Sequence, residues 1–354
     1  GIRAARSNAP TIAITAHYDT FAAAPGLAVG SSDNGSGALV LLALARMFGT
    51  LYAAPESVPN PNILFLLTGA GELDYMGLKH WLKTADNRVL DSLEFVICLD
   101  TLSDWANPGA NELYLHYSKP PKDPTVQKWY DRVEQAARKE GVKLTQLHKK
   151  VNLASPQAAW GHEHFAQQKL LAATLSAVQW SRKPYGASSI LDRPGSLNLT
   201  FLAQTARVVG EAISMRLFED QGQDLHLFKP GGALDASMPF MAQWASLFGR
   251  TPRMPPYFGR DSPLEGAMMG VLKEHTTKAS KLAFPLDKSY VFYGGDQAQL
   301  SVFKTAGAVF DLALFGLVLT YLAALFVSIR VLTQGWKSFA DIFVAPPKKG
   351  KKGR

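Results

Sequence analysis

The chain has 354 residues, 47% of them hydrophobic, and this composition excludes an intrinsically disordered protein. Five positive charges of the formal net +8 lie in the last seven residues, so the rest of the chain carries only +3. No nucleic-acid-binding surface is therefore predicted, since such a surface needs basic residues clustered on the folded domain. The single cysteine, Cys98, rules out an intrachain disulfide.

Short apolar segments alternate with longer amphipathic ones from residue 11 to residue 218. Four of the short segments are typical of strands: TIAITA, NILFLLT, EFVICLD and ELYLHYS. Three longer segments indicate helices: GALVLLALARMF, PTVQKWYDRVEQAARKEG and the stretch 197–218. In the second of these, Val126, Trp129, Tyr130, Val133 and Ala137 share one face. This alternation predicts an α/β domain over residues 1–217, with helices on the faces of a sheet.

Side chains that bind metals follow the predicted strands. His17 and Asp19 come after the first strand, Asp33 precedes the long helix, Glu72 follows the second strand and Asp100 ends the third. Ligands in open α/β sheets lie at the carboxyl ends of the strands, and imidazole with carboxylates suits zinc. Asp19, two residues from His17, is expected to orient its imidazole. Any one of these residues alone is more often an ordinary polar group, but together they indicate a metal site.

Four segments carry a resemblance to a known family: AHYDT, SSDNGSGALVLLALAR, GELDYMG and CLDT. They resemble, in order, the metal-binding motifs of the M28 aminopeptidase family, and the likeness covers residues 10 to 217. The resemblance implies an M28 zinc-aminopeptidase-like mixed sheet flanked by helices. It also places the family's metal ligands at His17, Asp33, Glu72 and Asp100.

Two positions depart from the family's pattern. The general base, the first Glu of a Glu-Glu pair, is Gly71 here, and the last His ligand is Ser188, with Asp192 retained. Because a general base contributes roughly 10²–10⁴-fold to hydrolysis, the resemblance implies a pseudoenzyme with no catalytic residues. No metal is expected as a cofactor, although His17, Asp33 and Asp100 could hold a residual single zinc. The alternative is a membrane-anchored M28-type zinc metallo-aminopeptidase in which Glu72 or Asp74 supplies the base.

The segment WGHEHF lies where the M28 family carries Ser-Asp-His-x-x-Phe, with one altered Asp. His162 and His164 are two residues apart and point to different sides of a helix, so we predict a structural segment rather than a metal site.

Residues 218–305 are predicted to be a helical appendage, because Pro and Gly clusters separate two helices that no strand pattern flanks. The stretch 262–265, Ser-Pro-Leu-Glu, predicts a capping box at the start of the second helix. The first helix carries an apolar stripe, which indicates either ordinary packing or a docking surface for a partner or membrane: Phe240, Met241, Trp244, Leu247 and Phe248.

The stretch FDLALFGLVLTYLAALFVSI, residues 310–329, predicts one C-terminal transmembrane helix, which we bound at 306–331. The excess of Lys and Arg in the tail, residues 332–354, predicts a cytoplasmic C-terminus and a lumenal N-terminal domain. Such a domain needs a targeting signal, which we expect to have been removed or to lie outside this sequence. Lys351 and Lys352 fit a di-lysine retrieval signal of the endoplasmic reticulum, and a merely solvated, lipid-facing tail is the alternative.

Two sequons fit a lumenal placement: Asn198-Leu199-Thr200 and Asn34-Gly35-Ser36. Asn198 and Asn34 are therefore the predicted glycosylation candidates.

Further segments narrow the resemblance: AHYDTFAAAPGL, LHYSKPPKDPT, HKKVNLA and VFYGGDQ. They resemble the nicalin family, whose members are M28-like, peptidase-inactive membrane proteins of the endoplasmic reticulum. The resemblance implies a non-catalytic scaffold subunit of a membrane complex associated with the translocon and with multi-pass membrane protein biogenesis. It implies as partners the nodal modulator protein and a small multi-pass membrane protein.

Overall fold

The computed structural model describes residues 2–3, 9–22, 24–53, 60–104, 107, 109–152, 157–180, 191–219, 226–255, 262–288, 290–291, 301–304, 307–340 and 343. The chain divides into two compact units, Gly1–Tyr293 and Gly294–Arg354.

The first unit contains a mixed sheet of seven strands among the described residues. In chain order these are β1 (Ile2–Arg3), β2 (Thr11–His17), β3 (Asn62–Thr68), β4 (Leu93–Leu99), β5 (Glu112–Tyr117), β6 (Lys143–His148) and β7 (Ala172–Ser176). Across the sheet the order is β1-β3-β2-β4-β7-β5-β6. Strands β3, β2, β4 and β7 are parallel to one another, whereas β1 and β5 run antiparallel to β3 and β7. The predicted mixed sheet is confirmed, and each of the four predicted strands ends within one residue of its expected position.

Helices cover both faces of the sheet, and their bounds are α1 (Gly37–Leu51), α2 (Met76–Thr84), α3 (Asn87–Ser92), α4 (Pro124–Lys139), α5 (Gly161–Gln167), α6 (Leu199–Leu217), α7 (Met238–Arg250) and α8 (Pro263–His275). Helix α1 has 13 of its 15 residues buried, as its almost wholly apolar sequence predicts. Helix α4 begins where the Asp123 carboxylate accepts a hydrogen bond from Thr125 N and buries the predicted apolar face.

The appendage helices pack on the same core as the sheet. Met241, Trp244 and Phe248 of α7 are buried in it, as are Leu264, Met268 and Leu272 of α8. The stripe on α7 therefore mainly serves ordinary packing.

The predicted capping box at Ser262 is wrong. The Ser262 side chain makes no capping hydrogen bond, and Glu265 points to partners outside the helix. Its carboxylate accepts a hydrogen bond of 2.7 Å from the Tyr18 hydroxyl and forms an ion pair with Lys281. A carboxylate held by these two groups does not turn back to the helix N-terminus.

The second unit contains helix α9, Ala308–Ala340, whose backbone leaves helical geometry at Gly335. Residues Ala308–Trp336 have a mean hydropathy of 2.4 in their most apolar window, and none of that window is buried. At 1.5 Å per residue they extend about 44 Å, enough to cross a hydrocarbon core of about 30 Å. Residues Ser31–Leu51, which include helix α1, are also long and apolar enough to cross a membrane, but 83% of their most apolar window is buried in the core. The predicted C-terminal apolar helix of membrane-spanning length is confirmed.

Candidate functional site

Four of the side chains predicted as vestigial ligands lie at one edge of the sheet. His17 ends β2, Glu72 follows β3, Asp100 follows β4, and Asp33 lies in the loop before α1. The ligand atoms of His17, Asp33 and Asp100 lie within 4.8 Å of one another, and all three residues are buried. His17 Nε2 lies 4.0 Å from Asp33 Oδ1 and 3.7 Å from Glu72 Oε1. They meet because β2, β3 and β4 are adjacent and parallel, so their carboxyl ends share an edge.

The Asp192 carboxylate holds the loop that carries Asp33. Both carboxylate oxygens of Asp192 accept hydrogen bonds from Ser32 N, at 2.8 and 3.0 Å, and Oδ2 accepts another from Asp33 N at 2.8 Å. Burial raises the pKa of Asp192, although these backbone donors oppose that effect. Asp192, which the sequence retains from the M28 pattern, thus anchors the loop that presents Asp33.

The Asn34 amide connects the ends of β2 and β4. Its Nδ2 donates to the carbonyls of His17 and Leu99 at 3.0 and 2.9 Å, and its Oδ1 accepts from Gly37 N and Thr101 N. The residue is fully buried. A glycan on Nδ2 would replace both of these hydrogen bonds, so the packing argues against glycosylation at Asn34, which stays a prediction.

The sequence predicts that Asp19 orients the His17 imidazole, but in the structure Asp19 binds the backbone of the turn after β3 instead. Its carboxylate accepts hydrogen bonds from Gly71 N at 2.7 Å and from Glu72 N at 3.4 Å. Burial raises the pKa of Asp19, while His17 and these backbone donors oppose the effect. Asp19 therefore fixes the turn after β3 from which Glu72 projects.

The His17 ring occupies the space that a side chain at position 71 would need. A Cβ placed on Gly71 would overlap Cγ, Cδ2 and Cβ of His17. Burial by itself lowers the pKa of His17, but Glu72, then Asp100 and Asp19, raise it to about 9. The imidazole thus fills the space beside Gly71, the residue that the resemblance places at the M28 general base.

Two protein hydroxyl groups bind the buried carboxylates. Thr101 Oγ1 lies between Asp33 Oδ1, at 3.0 Å, and Asp100 Oδ1, at 2.9 Å. The Tyr75 hydroxyl donates to Asp100 Oδ2 at 2.7 Å. Both residues have left-handed backbone conformations, with φ of +49° for Thr101 and +51° for Tyr75, which are uncommon for side chains of this size. Burial, followed by Asp100, raises the pKa of Tyr75 well above its usual value, so the phenol is a neutral donor.

The three clustered side chains fit one zinc ion by their chemistry. One imidazole and two carboxylates are ordinary zinc ligands, and His17 Nε2 is buried without a hydrogen-bond partner in the part of the chain that the structure describes. Tetrahedral zinc with bonds of about 2.0–2.1 Å requires ligand atoms about 3.4 Å apart, so distances in the cluster would have to shorten by up to about 1.4 Å. When bound, zinc would act as a Lewis acid and lower the pKa of a coordinated water.

A second metal has fewer ligands. Asp33 and Glu72 are the predicted ligands within the described ranges, while Ser188, the altered His position, lies outside them. Across the described parts of the chain, His17, Asp33 and Asp100 form the one group of three such side chains close enough to hold a metal ion. The described residues therefore fit at most one metal ion.

A cavity of about 240 Å³ opens beside the cluster. His17, Glu72, Tyr75, Asp100 and Trp160 are among the residues that line it. This volume is below the roughly 300–1,000 Å³ of ordinary small-molecule pockets.

Arg253 lies fully buried behind the site and was not identified from the sequence. Its guanidinium donates to the carbonyls of Tyr18, Phe248 and Gly30 at 2.6, 2.8 and 2.8 Å. Burial lowers the pKa of Arg253 to about 10, although Asp192, Asp19 and Asp33 act in the opposite direction. The appendage thus places a positive charge next to the acidic cluster.

The two histidines of the WGHEHF segment have separate environments. His162 bonds to Thr174 Oγ1 at 2.9 Å and to Ser118 Oγ at 3.0 Å, and burial lowers its pKa to about 3. His164 Nε2 lies 3.5 Å from Asp74 Oδ1. These contacts agree with the structural interpretation of the segment.

The sheet order and the histidine–carboxylate cluster at its edge define an aminopeptidase-like α/β protein. The sequence model of peptidase family M28 matches residues 2–209. The chain is 33% identical to BOS complex subunit NCLN of Gallus gallus, over 91% of this chain and 58% of that protein. It is 32% identical to Nicalin of Caenorhabditis elegans, over 58% of this chain and 38% of that protein. The solved structure of the gamma-secretase component Nicastrin has a TM-score of 0.53 at 14% identity, covering 74% of this chain and 48% of that one.

The chain belongs to peptidase family M28 and, within it, to the nicalin family. The likeness to Nicastrin supports the fold alone. The chain spans about three fifths of the length of its NCLN relative and less of Nicalin.

Proposed function

We propose that the protein is a non-catalytic scaffold subunit of an endoplasmic reticulum membrane complex. The observation that carries the proposal is the overlap between His17 and any side chain at position 71, which leaves no room for the M28 general base. Similarity to proteins named as BOS complex subunits supports membership of a complex. In this proposal the complex associates with the translocon and assists the biogenesis of multi-pass membrane proteins, with the nodal modulator protein and a small multi-pass membrane protein as partners.

The proposed topology places the unit Gly1–Tyr293 in the lumen and crosses the membrane once through α9. Its support is the apolar length of α9 together with the basic tail that follows. Lys351 and Lys352 would act as the retrieval signal, and both lie outside the described residues. In sealed microsomes, added protease should remove a C-terminal tag and leave the first unit intact. The opposite pattern would refute this orientation.

The scaffold function is tested by recovering the tagged full-length protein from membranes in mild detergent. We expect Asp33→Asn combined with Asp100→Asn to leave the copurifying proteins unchanged, because neither carboxylate needs to act on a substrate. Asp91→Asn, an exposed change on α3, is the matched control. Loss of partners from a double variant that still melts cooperatively would overturn the proposal.

The same preparations distinguish the alternative, a zinc metallo-aminopeptidase, which the His17–Asp33–Asp100 cluster favours. A working enzyme would release the chromophore of aminoacyl p-nitroanilides in the presence of zinc, and the double variant would not. We expect the wild type and the double variant to release the chromophore at the same background rate.

A further inference from the structure

We propose that the Tyr75 hydroxyl weakens metal binding at Asp100, because its hydrogen bond occupies a carboxylate oxygen that a metal ion would use. We call this hydrogen bond the latch. This inference goes beyond the scaffold function, because it concerns metal affinity and is measured without any partner.

The latch occupies one oxygen of a predicted ligand. The Tyr75 hydroxyl donates to Asp100 Oδ2 at 2.7 Å, while Thr101 Oγ1 lies 2.9 Å from Asp100 Oδ1. Asp100 Oδ2 therefore already accepts a hydrogen bond from Tyr75, while Asp100 Oδ1 shares the single Thr101 hydroxyl proton with Asp33 Oδ1. A metal ion that binds Asp100 through Oδ2 has to displace the Tyr75 hydroxyl or share this oxygen with it.

Tyr75 is the more readily displaced of the two donors. Its side chain lines the cavity, so the ring has open volume beside it. Thr101 follows Asp100 directly in the chain, and its backbone N–H is fixed by Asn34 Oδ1 at 2.9 Å. The phenol is thus the group that a metal ion entering through the cavity would meet.

The turn after β3 directs Tyr75 into the site. Tyr75 has φ of +51° immediately before α2, and its N–H donates to Gly71 O at 3.0 Å. Its ring packs edge-on against His17 and His164, with centroids 5.7 and 5.8 Å apart. Gly161 lies alongside, where a Cβ would contact the ring at 3.4 Å. Packing on three sides holds the hydroxyl over Asp100.

Removal of the phenol oxygen should strengthen zinc binding. A hydrogen bond to a carboxylate stabilises the closed form, and zinc binding to the wild type must overcome it. We expect Tyr75→Phe, which keeps the ring and removes the donor, to bind zinc about tenfold to a hundredfold more tightly.

The experiment uses the full chain in detergent, stripped with chelator and dialysed against a series of buffered free zinc concentrations. Zinc per chain is measured by elemental mass spectrometry, and cobalt(II) absorption reports the coordination. The variants are Tyr75→Phe and Tyr75→Leu. Tyr130→Phe, which removes a buried phenol on α4, is the matched control, and Tyr75→Phe with Asp100→Asn tests whether the gain depends on Asp100.

We expect half-loading at lower free zinc in both Tyr75 variants, no change in Tyr130→Phe, and loss of the gain in the double variant. Unchanged half-loading in the Tyr75 variants would overturn the proposal. If neither variant folds, the wild type decides: binding of one zinc per chain as tightly as an ordinary structural zinc site contradicts a latch, whereas weak binding supports it.

Discussion

The His17 imidazole lies where the side chain of residue 71 would stand, so the glutamate that the resemblance to M28 expects at this position does not fit in the present packing. In the proposed pseudoenzyme, the absence of a side chain at Gly71 is therefore coupled to the placement of the imidazole. Replacing Gly71 with Glu alone would not rebuild an M28 centre, because the new side chain would first have to displace the His17 ring.

Gly71→Ala is expected to destabilise the protein by about 1–3 kcal/mol, since one added methyl group overlaps a buried ring. Thermal or chemical unfolding of the full chain in detergent measures the change. Gly266→Ala is the matched control, because it lies in α8 with open space around its Cα and should be neutral or slightly stabilising. Equal stability of Gly71→Ala and wild type would show that His17 moves readily.

Arg253→Met is expected to cost about 3–5 kcal/mol of unfolding free energy. The change removes a buried charge near three aspartates and the three hydrogen bonds that the guanidinium donates to backbone carbonyls. Denaturant titration would show the loss, and Arg250→Met on the exposed face of α7 should stay close to wild type. A wild-type midpoint for Arg253→Met would mean that the acidic cluster does not need this charge.

The contribution of His162 to stability should fall as the pH is lowered from about 6.5 towards 3. Burial holds the pKa of His162 at about 3, so the unfolded chain binds a proton in this range that the folded chain does not. The contribution is complete above the unfolded pKa and is lost progressively below it, by on the order of a few kcal/mol. The depressed pKa of the neighbouring His116, which is also buried, acts in the same direction.

Unfolding free energies of wild type and His162→Gln, compared between pH 7 and pH 4, isolate this effect. The variant should be less stable at pH 7 but show a shallower decline. His148→Gln, an exposed change on β6, should keep the wild-type slope. Parallel curves for His162→Gln and wild type would contradict the assignment.

Asn198 remains the predicted glycosylation site. Its Oδ1 accepts from Phe201 N as the cap of α6, and its Nδ2, at a partly exposed position, donates a long hydrogen bond of 3.5 Å to Asn111 Oδ1 that a glycan would replace. Thr200→Ala removes the sequon and keeps the cap, so it should abolish an endoglycosidase-sensitive mobility shift. A shift that survives in Thr200→Ala, or disappears in Asn34→Gln, would reverse the assignment.

The sequence predicted the strands that are long and apolar and missed those that are not. Strand β6, with the sequence KLTQLH, lies at the edge of the sheet and is largely half-exposed. Its polar residues interrupt the apolar ones, so the sequence contains no apolar run there. Strand β7 is buried but short, and its five residues AATLS are mostly small. Pairing with β4 and β5, rather than local propensity, makes it a strand.

In the site, His17, Asp33 and Asp100 were predictable because parallel strands bring their carboxyl ends to one edge. Tyr75 and Thr101 were not, because their left-handed backbone conformations carry no clear sequence signal. Arg253 was not predictable either, because it donates to Tyr18 O from 235 residues further along the chain, and local sequence patterns carry no information over such a separation.

The burial of α1 beneath α6, α7 and α8 has a consequence for synthesis. The apolar environment of α1 is incomplete until residues up to His275 have been made, 58 residues after α6 ends at Leu217. At roughly 5–20 residues per second, this delay is about 3–12 s. Throughout that interval α1 has the sheet and α6 against it but lacks α7 and α8, so part of its apolar surface is open to chaperone binding while the chain is still attached to the ribosome.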